Sequence, residues 1–229
     1  RLDPVTGAPV TTFKVNPSAA VSALAVTNTT VYLGGQFKKV SNVTRASLAA
    51  VNAETGAVDK TFDNQLSGGI GRGRLLTVQT LKLTHDKSRL LVLHTGRQVS
   101  GQDRYGVALI DTQTKALLPW RTDLWQDNLP LSGGVQQAQA ADIAPNDEYF
   151  VVTNTGGDRP PLGDTAIAFP LAGGDHVVPR WIHRSFDSVY SVAITEQAVF
   201  IGGHFLWNES QTAPDPWPGL DDVGYGNGQ

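Results

Sequence analysis

"VYLGGQF" occupies residues 31–37, and "VFIGGHF" returns at residues 199–205. Each is an apolar triplet, a glycine pair, one polar residue and a phenylalanine, written twice in a chain of 229 residues. Outward from the first copy, Val21, Ala23 and Ala25 alternate with Ser22 and Leu24, and a polar "TNTT" leads into Val31, Tyr32 and Leu33. A period of two broken by turn formers predicts a β-hairpin rather than a helix. "ASLAAVNAETG" reads as a third strand that ends in turn-capping Asn, Thr and Gly, and "AVDKTF" as a fourth.

The four-part unit recurs. Its third-to-fourth turn is written "LDPVTGAPVTTF" at 2–13, "VNAETGAVDKTF" at 51–62, "LIDTQTKALLPW" at 109–120 and, more loosely, "AFPLAGGDHVVPRW" at 168–181. Each copy closes on an aromatic: Phe13, Phe62, Trp120 and Trp181. The second strand gives a parallel series, with "VYLGG" from Val31, "LVLHT" from Leu91, "VVTNT" from Val151 and "VFIGG" from Val199. Short strands repeated with a closing aromatic predict an all-β fold, a β-propeller of four-stranded blades. A β-sandwich with internal similarity is the competing architecture.

The units run over 1–17 (the end of a blade), 18–66, 75–124, 135–185 and 188–229 (the start of a blade), all within one domain or part of one. This favours a piece of a larger ring. The alternative is a closed four-bladed ring in which the N-terminal strand completes the last blade.

Composition narrows the function. Charged residues are 17% of the chain and the net charge is −3, so there is no basic stripe to displace counterions from nucleic acid. Cysteine is absent, which removes disulfides, thiolate metal sites and cysteine nucleophiles. No apolar run approaches the ~20 residues of a membrane span. There is no G-x-S-x-G elbow, H-E-x-x-H or phosphate loop. "GGIGRGR" from Gly68 precedes a strand-like segment, so the helix terminus that would bind phosphate is missing.

At the two quoted phrases and at "RASLAAVNAETGAV" the chain resembles a family of secreted β-propeller repeats of Gram-positive bacteria, often found beside PKD-type domains. The resemblance covers residues 2–66 and 186–206, while the middle units replace the glycine pair. It implies a propeller fold and an extracellular or cell-surface setting, and it carries no catalytic residue.

In antiparallel blades the first-to-second and third-to-fourth turns share one face, and the longer loops gather on the other. Loops on a rigid scaffold are where binding chemistry is usually placed. That face is expected to present Arg45, Arg97, Asp103, Arg104, Asp158 and Arg159, with Trp125, Trp207 and Trp217 among them. Aromatic faces beside polar groups suit a sugar ring or a protein partner. Gln36 and His204 hold one repeat position, where the middle units have Gly96 and Gly156. Asp215, Asp221 and Asp222 are oxygen donors suited to calcium, without the D-x-[DN]-x-[DN]-G loop that marks such a site; no other cofactor is expected.

The resulting expectation is a secreted or cell-surface propeller that binds carbohydrate or protein as a scaffold module. Two readings compete with it. One is an extracellular hydrolase or lyase whose site on the long-loop face is completed by segments absent here. The other is a structural subunit whose open blade edge recruits a second polypeptide.

Overall fold

The computed structural model describes residues 1–70, 75–128, 137–156, 162–185, 187–205 and 208. It is an all-β structure of consecutive antiparallel sheets. The first sheet joins β1 (Val21–Val26), β2 (Thr30–Gly35) and β5 (Leu48–Asn52) in the order β1-β2-β5. The second joins β7 (Val78–Leu83), β8 (Arg89–His94) and β11 (Val107–Asp111) in the same way. A third has four strands, β12 (Gln137–Ile143), β13 (Tyr149–Thr155), β14 (Thr165–Pro170) and β15 (Trp181–Arg184), and a fourth pairs β16 (Val189–Ile194) with β17 (Val199–Gly203).

The expected fourth strand is complete only in the third sheet. In the first two it shrinks to single bridges, Val51 with Val58 and Ile110 with Leu117. The chain turns away at once: Asp59 caps the Thr61 amide at 2.9 Å, and Pro119 has no N–H to continue a ladder.

The turn into this fourth segment is built identically three times. The Oδ1 atoms of Asp3, Asn52 and Asp111 each accept the backbone N–H groups two and three residues on, and also the hydroxyl of Thr6, Thr55 or Thr114. A left-handed residue follows, Gly7, Gly56 or Lys115. Residues 2–13 therefore repeat the turn of the complete units, as expected from their Asp-x-x-Thr-Gly spelling.

Every first strand carries a bulge at one place, between Val21 and Ala23, Val78 and Thr80, Ala138 and Ala140, and Val189 and Ser191. The shared bulge fixes the register. Val26 faces Val31, Leu83 faces Leu90, Ile143 faces Phe150 and Ile194 faces Val199. The middle second strands thus begin at Leu90 and Phe150, one residue earlier than the motif series places them. Leu90–Leu93 and Phe150–Val152 are apolar on both faces, so their sequence does not say which residue opens the motif. Gly35 is equivalent to the buried His94 and Asn154, and Gln36 to Thr95 and Thr155, not to Gly96 and Gly156.

The sheets stack face to face in chain order, β1 beside β7, β7 beside β12 and β12 beside β16. Tyr32, Leu48 and Ala50 of the first sheet meet Leu81, Leu90 and Val92 of the second. Leu91, Leu93 and Leu109 on the second sheet's other face meet Phe150, Val152 and Ile167 of the third. Val151, Ala166 and Ala168 then meet Val192, Val199 and Ile201 of the fourth. Closing aromatics seal these layers. Phe62 packs on Tyr32 with ring centroids 5.4 Å apart, and Trp120 lies 5.3 Å from Phe150 and donates its Nε1–H to the Pro170 carbonyl at 3.0 Å. Both are fully buried, each being held between two sheets, whereas Phe13 and Trp181 at the ends are half-buried.

Hydrogen bonds lock each junction where the chain leaves a closing aromatic. Lys14 N–H donates to Thr55 O at 3.0 Å, the Asn64 side-chain amide to Lys115 O at 2.9 Å, and Arg121 N–H to Gly174 O at 2.9 Å.

Two predictions follow from this packing. A Cβ built on Gly35 lies 2.1 Å from the Ala20 carbonyl oxygen, so Gly35→Ala should lower unfolding free energy by about 1–3 kcal/mol in urea, with Gly174→Ala, which meets nothing within 4 Å, unchanged. Trp120→Ala should cost about 3–5 kcal/mol and Trp181→Ala clearly less, because only Trp120 is enclosed on both sides.

Candidate functional site

The long loops expected to carry a site are largely architecture. "KKVSNVTRA" folds as a hairpin of β3 (Lys39–Val40) and β4 (Val43–Thr44), turned by Ser41 and Asn42 at positive φ. "RQVSGQDRY" does the same with β9 (Gln98–Val99) and β10 (Gln102–Asp103), turned by Ser100 and Gly101. These are two-residue hairpins of the kind that left-handed backbone permits. Each hairpin is tied to the segment leaving the preceding unit, Val40 through a bridge to Pro17 and β9 through β6 (Leu66–Ser67).

Arg104 and Arg45 are repeat-equivalent and buried rather than presented to solvent. Arg104 donates from Nη1 to Asp103 O at 2.7 Å and from Nη2 to Leu118 O at 3.0 Å. Arg45 donates to Thr44 O at 2.7 Å and Lys60 O at 2.9 Å. Through their Nη atoms both guanidinium groups join the start of the third strand to the fourth segment, while the buried Nε of each meets no hydrogen-bond partner. Arg97 is exposed, with its backbone N–H donating to Ser67 O at 2.9 Å.

Gln36 and His204 do occupy one position at the ends of β2 and β17. Both are exposed, and their N–H groups donate to Ala20 O and Ser188 O. The His204 ring stands edge-on to Tyr190 at 4.9 Å. Asp158, Arg159, Trp207, Trp217, Asp215, Asp221 and Asp222 lie outside the described residues. Among the described residues no three side chains are placed to hold a metal ion.

Trp125, expected on the loop face, is buried. It sits in a short helix, α1 (Leu124–Asn128), 5.5 Å from Phe169, and its Nε1–H donates to Asn154 Oδ1 at 3.2 Å. The loop reading fails there because an indole over an aromatic cluster gains more from burial than from solvent.

A broad concavity lies at the open end of the stack. A groove of about 740 Å³ runs over the outer face of β1 and β2, floored by Leu24, Val26, Val31 and Leu33 and walled by Phe13 and Val15. Arg1 and Glu54 stand at its rim, and Arg1 Nη1 donates to Ala53 O at 3.2 Å. An apolar floor inside a polar rim is the anatomy of a protein-binding surface. Sequence reasoning passed over these residues. The available signal was β1 itself, whose "VSALAV" is apolar on both faces and so calls for two covers.

A smaller polar cleft of about 340 Å³ lies between the second and third sheets, lined by Asp103, Arg104, Arg121 and Asp175. Arg121 Nε donates to Asp175 at 2.5 Å and Nη1 lies 3.3 Å from Asp123, while His176 bonds Asp123. The Arg121 hydrogen bond holds the Asp175 carboxyl below its ordinary range, which suits an ion-pair staple and not a general acid.

No family model matches this chain, and no curated protein matches it. Among solved structures it is similar to a periplasmic gluconolactonase of Pseudomonas aeruginosa, at 10% identity and a TM-score of 0.42, over 79% of this chain and 62% of that one. The chain thus spans less than two thirds of that structure's length.

One buried titratable group has a measurable consequence. His94 accepts the Gly96 N–H on Nδ1 at 3.0 Å, which puts its proton on Nε2, and burial drives its pKa from 6.5 down to about 3. The unfolded chain therefore binds a proton that the folded one refuses between those values, so His94 contributes stability that is full above pH 6.5 and lost as pH falls toward 3. At pH 4 the loss should be about 3 kcal/mol. His94→Asn, the residue found at the equivalent Asn154, should flatten the stability-versus-pH curve over this window; parallel curves for the two proteins would contradict the assignment.

Proposed function

We propose that this chain is a β-propeller module that binds a protein partner through its open end face and works as a scaffold rather than a catalyst. The observation that carries this is the apolar groove of Leu24, Val26, Val31 and Leu33 with its charged rim. A surface of this composition gains from covering by another apolar surface, and it offers few groups to orient a sugar. The propeller reading is supported by four sheets stacked in chain order with one bulge position and one register, the third sheet having the four strands that a blade requires. Exposure of the outer β1–β2 face favours part of a larger ring over a closed ring of four blades. The extracellular or cell-surface setting rests on the family resemblance, and no helix among the described residues is long and apolar enough to cross a membrane.

The hydrolase reading needs a carboxyl kept protonated beside an ionised one. Among the described residues the shifted carboxylates, Asp3, Asp59, Asp86, Asp111, Asp147 and Asp175, all move down. Burial, which alone would raise Asp59, is outweighed by hydrogen bonds from Lys115 and Thr61, which bring it to about 2.

Photo-crosslinking tests the proposal. Benzoyl-phenylalanine placed at Leu24 in cells that produce the chain should give a protein adduct under near-ultraviolet light, and the same group at the exposed Thr12 should not. Purified chain should leave nitrophenyl glycosides and gluconolactone unchanged. Turnover of either, with no adduct at Leu24, would replace the scaffold by the hydrolase.

A further inference from the structure

One histidine is buried in the junction between the first two sheets, and two surface histidines fasten the next junction. His94 shares a face of β8 with Leu90 and Val92, which pack against Tyr32, Leu48 and Ala50 of the first sheet. Its Nδ1 accepts the Gly96 N–H at 3.0 Å, and its buried Nε2 meets no hydrogen-bond partner. A second ring proton would therefore set one donor against another and leave an unpaired charge. Among the described residues, the ionisable groups on the elements around it are Tyr32 on β2, Lys82 on β7, Asp111 on β11, Arg89 at the other end of β8 and Arg97 in the loop that follows. Tyr32 lies on Phe62, Lys82 on Asp142 and Arg89 on the Leu171 carbonyl, while Asp111 caps its own turn and Arg97 packs over Gly68. No carboxylate is at hand, and burial alone takes the pKa of His94 to about 3. The ring can charge only after the junction opens.

The junction between the second and third sheets has the opposite chemistry. His85, in the turn between β7 and β8, gives its backbone N–H and its Nδ1–H to Asp147 Oδ1, each at 2.9 Å, and Asp147 Oδ2 takes the Asp86 N–H at 3.2 Å. The other charged groups beside this pair are Lys87 and Glu148 of the same two turns. His176, between β14 and β15, bonds Asp123 through Nδ1 and has Nε2 3.5 Å from Asp175 Oδ2, with Arg121 against both carboxylates and Asp103 and Arg104 in the adjoining cleft. A neutral imidazole owns one N–H and can donate to only one of two carboxylates, whereas the imidazolium donates to both. Burial would raise Asp147, but the hydrogen bonds from His85 and Asp86 outweigh it, and the Arg121 bond lowers Asp175, so both carboxylates stay charged as the imidazoles gain protons. The matching surface pair of the first junction is Lys115 with Asp59 at 2.6 Å, in which the cation is charged throughout.

We infer that the two junctions form an acid-operated device: below neutral pH the stack opens between its first and second sheets, at His94, while His85 and His176 hold the second sheet to the third. The sheet released in this way is the one that bears the β1–β2 groove, and the inference stands whatever that groove binds.

The chain has no cysteine, so single thiols can report on each junction. Ala50→Cys places one in the first junction and Ala141→Cys one in the second, both at buried positions. The rate of labelling by dithiodipyridine, divided by that of a free thiol at the same pH, measures how often each junction opens. From pH 7 to pH 4.5 the Ala50→Cys rate should rise about 100-fold, and the Ala141→Cys rate should not rise. With His94→Asn, or His94→Gln should that variant misfold, the Ala50→Cys rise should disappear. At pH 4.5, but not at pH 8, His85→Gln combined with His176→Gln should speed Ala141→Cys labelling several-fold. A parallel rise at both thiols would mean general unfolding and overturns the inference, as does no rise at all or a rise that survives loss of His94. Equal Ala141→Cys rates with and without His85 and His176 overturn the part assigned to the second junction.

Discussion

Each sheet in this protein is apolar on both faces, and the rest of the structure follows from having to cover both. A half-polar sheet can rest one face on a core and leave the other in water, but Leu90–Leu93 or Phe150–Val152 leave no such choice. Covering by neighbours of the same kind produces a stack, and the stack explains why the chain reuses one bulge, one register and one turn. A unit that departed from them would misplace Tyr32, Leu91 or Val151 relative to the next sheet. The same constraint also creates a problem that adding units does not remove. However many sheets are stacked in a row, one receiving face and one inserting face remain in water, and only closure or association covers them.

Polar groups are placed where they stitch the layers rather than where they meet solvent. Arg45 and Arg104 are buried with their Nη atoms on carbonyl oxygens of the fourth segment, which in these two units has almost no strand ladder of its own. The guanidinium fork replaces the missing backbone pairs with charge-assisted bonds. His94 and Asn154 fill the place that glycine holds in the first and fourth sheets, and Asn154 uses its amide to accept the indole of Trp125 and to reach Thr165 Oγ1 at 3.4 Å. In the third sheet this position orients the helix that covers Phe169. The glycine units lack that side chain, and Gly35 and Gly203 instead lie close under the backbone of Ala20 and Ser188.

The all-β class and the repeating unit were legible because both are written in local chemistry. An Asp or Asn followed three residues later by Thr forms its turn wherever it stands, and a period of two forms a strand. Register was legible only where a polar residue or glycine pair marked a face; in the middle units every residue is acceptable on either side, and the motif series slips by one. The candidate site was least legible. An arginine in a predicted loop carries no sign of whether the loop will be paired, and Arg104 became buried because β9–β10 formed a hairpin and Leu118 came within reach. Leu24 presents the reverse case. Its own segment is that of a core strand, and what leaves it in water is that no described sheet lies over that face, which no local window reveals.

The hairpins in the long loops sharpen the question of where function can reside. β3–β4 and β9–β10 each bind the segment that leaves the preceding unit, Pro17 in one case and Leu66–Ser67 in the other. They act as latches across the junctions, so their length serves the stack and is not spare sequence for ligands. The first latch is the informative one, because Pro17 follows the closing turn of residues 2–13 and its Phe13. That closing turn, its Phe13 and its latch are all set against the first sheet as firmly as their equivalents are elsewhere, with Lys14 bonded to Thr55 and Asn16 O accepting the Ser41 N–H at 2.8 Å. The groove over β1 and β2 is therefore walled by backbone already fixed in place, which lowers the ordering cost of any surface that covers its apolar floor.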